Sequence, residues 1–168
     1  MLALMLIVIG ILLRFAPHLP DFSPVAAIAI FSGAYLNKKY SFFIPLCLMI
    51  ISDMFLGMHN VIPFTWGAFA LITVLGFRLK KNKNPGAVLF SSLAGALAFF
   101  IITNFGVWYM GWYPRTFNGL IQCYIMALPF FRVFTVATLA YSFVFFGVYE
   151  LVARRVKGTK LAGALLTK

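Results

Sequence analysis

Acidic residues are scarce in this chain: three aspartates and glutamates, Asp21, Asp53 and Glu150, stand against 14 lysines and arginines in 168 residues. Charge of either sign is thin as well. Charged residues make up 10% of the chain and hydrophobic ones 63%, whereas soluble chains average about 25% charged and about 45–50% apolar. That balance excludes a water-soluble domain. Only two cysteines are present, Cys47 and Cys123, each inside an apolar run and without metal-ligand spacing, so neither a disulfide framework nor a zinc site is expected. Nucleophile elbows, His-Glu-x-x-His pairs, phosphate-binding loops and glycine-rich dinucleotide turns are all missing. The expectation is therefore a protein that is not an enzyme, holds no cofactor, and has no means of its own to hydrolyse ATP. His18, Asp21, Asp53 and His59 are the residue types that could ligate a divalent ion, but their spacing is not that of a metal site, and no metal is expected.

What is present is a succession of apolar runs, with a mean hydropathy of +0.99. They cover Met1–Leu13, Val25–Leu36, Ser41–Gly57, Val61–Leu79, Ala87–Val107 and Val133–Val152. Met1–Leu13 lacks a basic n-region and a small-residue cleavage site, so it reads as a retained helix rather than a signal peptide. A perpendicular span needs about 20 residues, so the first two runs are short. Gly119–Phe131 is apolar but brief, with Pro129 near its end, and reads as re-entrant or interfacial. Trp108–Asn118, rich in Trp, Tyr, Gly and Pro, reads as an aromatic interfacial belt.

The net charge of +11 invites a nucleic-acid partner, but basic residues bordering apolar runs record membrane orientation instead. No nucleic-acid partner is expected. With six spans, Lys38-Lys39, the Arg78–Lys83 cluster, Arg154-Arg155 and the tail lysines share one side, leaving only Arg14, Arg115 and Arg132 opposite. Seven spans would divide the basic clusters. The expectation is an all-α integral membrane protein of the bacterial cytoplasmic membrane, with six transmembrane helices and both termini cytoplasmic. Residues 1–156 form the membrane domain and residues 157–168 a basic surface tail.

The chain is organised around Arg14–Pro24, which carries three of the eight prolines, one of the two histidines and one of the three acids. Three prolines in so short a stretch cannot continue a helix, since each lacks an N–H and restricts the residue before it. This topology collects Arg14, His18, Asp21, Asp53, His59, Asn104, Arg115 and Arg132 at the outer face. Ionisable residues at membrane depth are costly, so they pair, face protein or water, and mark sites. Asp53, inside its run, is read as a ligand-binding residue or the partner of Arg14 or Arg132, with Asp53 and Arg132 the favoured pair. His18, held between prolines, is read in the site. Asp21 is expected to cap the second helix. Ala29-x-x-x-Gly33 and Ser91-x-x-x-Gly95 let helices approach closely, within the bundle or against another membrane subunit.

The motifs Arg14–Ala34, Ser52-Asp53 with Gly57, Thr103-Asn104-Phe-Gly-Val-Trp, Tyr113-Pro-Arg-Thr and Leu128-Pro-Phe-Phe-Arg132 span nearly the whole chain. Together they resemble a bacterial family of transport proteins that is in turn similar to the substrate-binding S-components of energy-coupling factor (ECF) vitamin transporters. Within these the resemblance is closest to the small solitary vitamin B12 transporters of the BtuM type. It implies a six-helix bundle binding a vitamin from the outer face, alone or with an ECF-type transmembrane and ATPase module. Carried over by motif, it implies substrate roles for His18, Asp53 and Arg132, beside which Arg14, Asn104, Arg115 and Trp66 complete the candidate set. One departure stands out: where the B12-type proteins carry a cysteine in the fourth helix, this chain reads Pro63-Phe-Thr-Trp66-Gly. The mixed charge and surrounding rings suit a flat or ring-containing solute with a polar or anionic edge. The rival reading from the same residues is a structural cell-envelope subunit with no small-molecule ligand.

Overall fold

The computed structural model describes residues 1–16, 19–57, 60–159 and 161–166, with Leu56 by its backbone alone. Among these residues there are seven α-helices and no strand: α1 (Leu2–Phe15), α2 (Val25–Tyr35), α3 (Lys38–Leu56), α4 (Ile62–Arg78), α5 (Pro85–Tyr109), α6 (Phe117–Val156) and α7 (Leu161–Leu166). Two of them, α5 and α6, are long and apolar enough to cross a membrane, while α1, α2 and α4 are apolar but shorter.

The shortest of the first six helices is the hub. Every residue of α2 from Val25 to Ala34 is buried, and the helix touches α1, α3, α4, α5 and α6. Its sequence, Val-Ala-Ala-Ile-Ala-Ile-Phe-Ser-Gly-Ala-Tyr, explains how five neighbours fit. Small residues keep the surface smooth and let other backbones come close. The closest approach is the crossing with α4, where Gly33 lies against Gly76. A Cβ on Gly33 would run into the Thr73 carbonyl, and one on Gly76 into the Ile30 carbonyl. Gly95 on α5 packs against Ile72 and Ile30, so both small-residue motifs serve packing within the bundle.

The turn from α2 to α3 is fastened by a reciprocal pair. Ser32 Oγ donates to the Ser41 carbonyl at 3.1 Å and Ser41 Oγ to the Ser32 carbonyl at 2.9 Å. Around the same end, Lys80 Nζ donates to the Leu36 carbonyl at 2.8 Å. Lys83 Nζ stands 5.1 Å from the Tyr35 ring centroid, and Tyr35 OH donates to Glu150 Oε1 at 2.8 Å. The α2–α3 turn, the α4–α5 loop and the C-terminal part of α6 therefore meet at one end of the bundle, and the basic clusters gather there.

The largest departure from expectation is α6. Gly119–Phe131 is not a separate segment but the first part of one 40-residue helix with Pro129 inside it. At 1.5 Å per residue this helix is about 60 Å long, twice the roughly 30 Å of a hydrocarbon core. A proline removes one helical hydrogen bond, yet the helix continues through it, with contacts to α5 on either side. Tyr124 OH donates to the Ile101 carbonyl at 2.7 Å, Phe131 packs on Phe100 at 4.6 Å and Phe134 stacks on Phe99 at 4.4 Å. Arg132 thus lies inside this continuous helix rather than at its start.

Outward faces carry large apolar side chains, among them Phe43, Phe55, Phe90, Leu97 and Val136, with Phe55 80% exposed. The aromatic stretch after α5 is a hydrogen-bonded corner: Trp108 Nε1 donates to the Pro114 carbonyl and Trp112 Nε1 to Asn60 Oδ1, both at 3.1 Å. The tail does not lie apart. Its helix α7 folds back on the start of the chain, where the Met1 amino group donates to the Leu165 carbonyl at 3.3 Å.

Candidate functional site

At the end opposite the lysines, α1 stops at Phe15 and α2 does not begin until Val25, while α5 and α6 run on. The short elements leave space between the long ones. Two adjoining cavities fill it, of about 260 Å³ and 320 Å³, sharing Asp21, Phe99 and Phe134.

The smaller cavity is the charged one. Arg14 from the last turn of α1, Asp21 and Ser23 from the loop, Asp53 from the last turn of α3 and Thr65 from the first turn of α4 line it, over Val25, Met49 and Phe69. Asp53 is only 4% exposed, and its Oδ2 accepts the Trp66 indole N–H at 2.9 Å. That bond follows from topology: α3 and α4 are consecutive, so the end of one faces the start of the other. Arg14 interacts electrostatically with both Asp53 and Asp21. Burial pushes the Asp21 carboxyl above the ordinary aspartate value, and Arg14 only partly offsets this.

Asp21 does not cap α2. Pro24 occupies the cap position, with no side-chain cap bond, and Asp21 sits in the left-handed region at φ 61°, a conformation that Asp and Asn tolerate better than other non-glycine residues. That geometry belongs to a turn, not to a helix start.

The larger cavity is aromatic. Phe99, Phe100, Thr103 and Asn104 from α5 face Ala127, Phe130, Phe131 and Phe134 from α6. Positions 127, 130, 131 and 134 form one stripe of a helix at spacings of three and four. The same periodicity turns Arg132 away: it is exposed and absent from the lining of either cavity. Of the two arginines expected to answer Asp53, Arg14 does so beside the Trp66 indole, whereas Arg132 is turned away, because one residue along a helix is a rotation of about 100°. Arg115 is also exposed, with its guanidinium 5.9 Å from the Tyr109 ring centroid. Asn104 lines the aromatic cavity, its Nδ2 donating to the Phe100 carbonyl at 2.8 Å. His18 and His59 lie outside the described residues; among those described, no three His, Cys, Asp or Glu side chains gather as metal ligands would.

Sequence reasoning missed Ser23, Thr65 and the five phenylalanines of the larger cavity. The doublets Phe99-Phe100 and Phe130-Phe131 are visible, but so are many other rings among the 20 phenylalanines. Only the apposition of α5 and α6 separates these from the rest. Chemically, the set offers carboxylates, a guanidinium, hydroxyls and an amide against ring faces, the equipment for binding a small polar molecule with an aromatic or alicyclic part.

No curated protein and no solved structure matches the chain. Residues 1–161 match the model of a family of unknown function, DUF6580, and the chain therefore belongs to that family.

Proposed function

We propose that this protein is a multi-pass protein of the bacterial cytoplasmic membrane that binds a small ring-containing solute, a vitamin or related compound, at its outer face and serves its uptake in the manner of an S-component. In this reading α1 to α6 all cross the bilayer and both termini are cytoplasmic, with the lysine-rich end inside. An ECF-type transmembrane and ATPase module is the partner that would supply energy. The observation that carries the reading is the pair of adjoining cavities, one charged and one aromatic, at the end of the bundle away from the basic clusters. Buried ionisable groups facing a cavity in an otherwise apolar bundle are costly, and a ligand site explains why they are there.

The test is denaturing extraction of the purified protein followed by mass spectrometry, with thermal-shift measurements across a vitamin panel. A stoichiometric co-purifying solute that also raises the melting temperature is expected. Repeatedly empty protein with no shift from any compound would sink the reading in favour of a structural membrane subunit.

A further inference from the structure

The charge of the site differs from what the sequence alone suggested. Of the three arginines expected at this end, two lie outside the cavities, because Arg132 sits on the exposed side of α6 and Arg115 on the α5–α6 corner. Among the described residues, the cavity linings hold two carboxylates, Asp21 and Asp53, against one guanidinium, Arg14, which interacts with both. Among these described residues, one arginine shared by two aspartates leaves a negative charge in surplus where burial already penalises it. The raised Asp21 carboxyl is the expected response of such an undercompensated group. Asp21 is also the acidic residue common to both cavities, so the surplus lies at the junction with the aromatic walls of Phe99, Phe100, Phe131 and Phe134. Ring faces carry negative potential and attract cations.

Resting on the solute-binding reading above, we propose that the solute is cationic: a ring compound bearing a fixed or protonated positive charge, seated with that charge between Asp21, Asp53 and the phenylalanine faces. A positive group there neutralises the surplus carboxylate and gains cation–π contact, whereas an anion would meet two carboxylates with, among the described residues, Arg14 to attract it.

Three probes with one ring separate the cases: nicotinate (anionic), nicotinamide (neutral) and 1-methylnicotinamide (cationic), titrated onto the detergent-purified full chain by thermal shift and isothermal calorimetry. The expected order places the cation tightest. Asp21→Asn keeps the side-chain shape and suits the left-handed backbone, so the variant retains its fold. It should weaken the cation about tenfold, the worth of a partly screened ion pair, and narrow the gap to the neutral probe. Preference for nicotinate, or an anionic or neutral solute recovered from the protein, would overturn the cation assignment while leaving the binding site standing. Silence toward all three together with empty protein would overturn the solute-binding reading and the cation assignment with it.

Discussion

Asp53 concentrates the site at the scale of a single residue. At 4% exposure its charge has to be met inside the protein, and Trp66 Nε1 and Arg14 meet it. Hydrogen bonds to a charged acceptor contribute about 1.5–3 kcal/mol, so the indole fixes the carboxylate's position as well as its charge. Asp53→Asn keeps an acceptor for Trp66 and removes only the charge. The expected result is a monodisperse protein whose affinity for the co-purified solute falls about tenfold, as for other partly screened charges. A folded variant with unchanged affinity would take Asp53 out of the binding set. A loss of yield and melting temperature instead would mark it as the counter-charge of Arg14, because breaking a buried pair leaves a charge uncompensated at a cost of about 3–5 kcal/mol. Asn104 and Trp66 were legible at this scale as polar or amphipathic groups in apolar runs. Thr65 and Ser23 were not, since hydroxyls are common in membrane helices and loops.

Among the elements, α2 is the one on which the others depend. Its burial by five neighbours rests on residues small enough for backbone approach. Gly33 is the tightest point, with the Thr73 carbonyl in the path of any added Cβ and Gly76 immediately beyond. Gly33→Ala should force α2 and α4 apart and lower the melting temperature steeply, because the obstacle is backbone and cannot rotate away. Gly67→Ala provides the matched control. That glycine lies within α4 with nothing near its missing Cβ, so alanine should be neutral or stabilise by up to about 1 kcal/mol through helix propensity. Equal effects at the two positions in a thermal-unfolding comparison would refute the crossing as the critical contact. The α6 helix makes the complementary point. Pro129 suggested a boundary, and local chemistry alone supports one, but packing on α5 carries the helix through it.

For the whole molecule, the decisive property is its polarity from end to end. Lys80 and Lys83 bond at the α2–α3 turn, while Arg14, Asp21 and Asp53 line the cavity at the other end. If the lysine end is cytoplasmic, single cysteines placed in a background lacking Cys47 and Cys123 should report it. Arg115→Cys should label with an impermeant maleimide in intact cells and Lys81→Cys only after permeabilisation. The reverse pattern would turn the cavities toward the cytoplasm and remove an uptake role.

Hydropathy, charge order and the backbone chemistry of proline are local, so the sequence by itself determined an apolar, helical chain, a break between α1 and α2 and the gathering of basic residues at one end. Which side of each helix turns inward was decided only by tertiary structure. In a chain whose outward faces are as apolar as its core, hydrophobic periodicity carries almost no signal about direction. Phe131 therefore lines the cavity and Arg132 does not, α2 is a buried hub, and Arg14 rather than Arg132 answers Asp53. Each outcome depends on neighbours distant in sequence, and a rotation of about 100° per residue is enough to exchange a wall of the site for the surface.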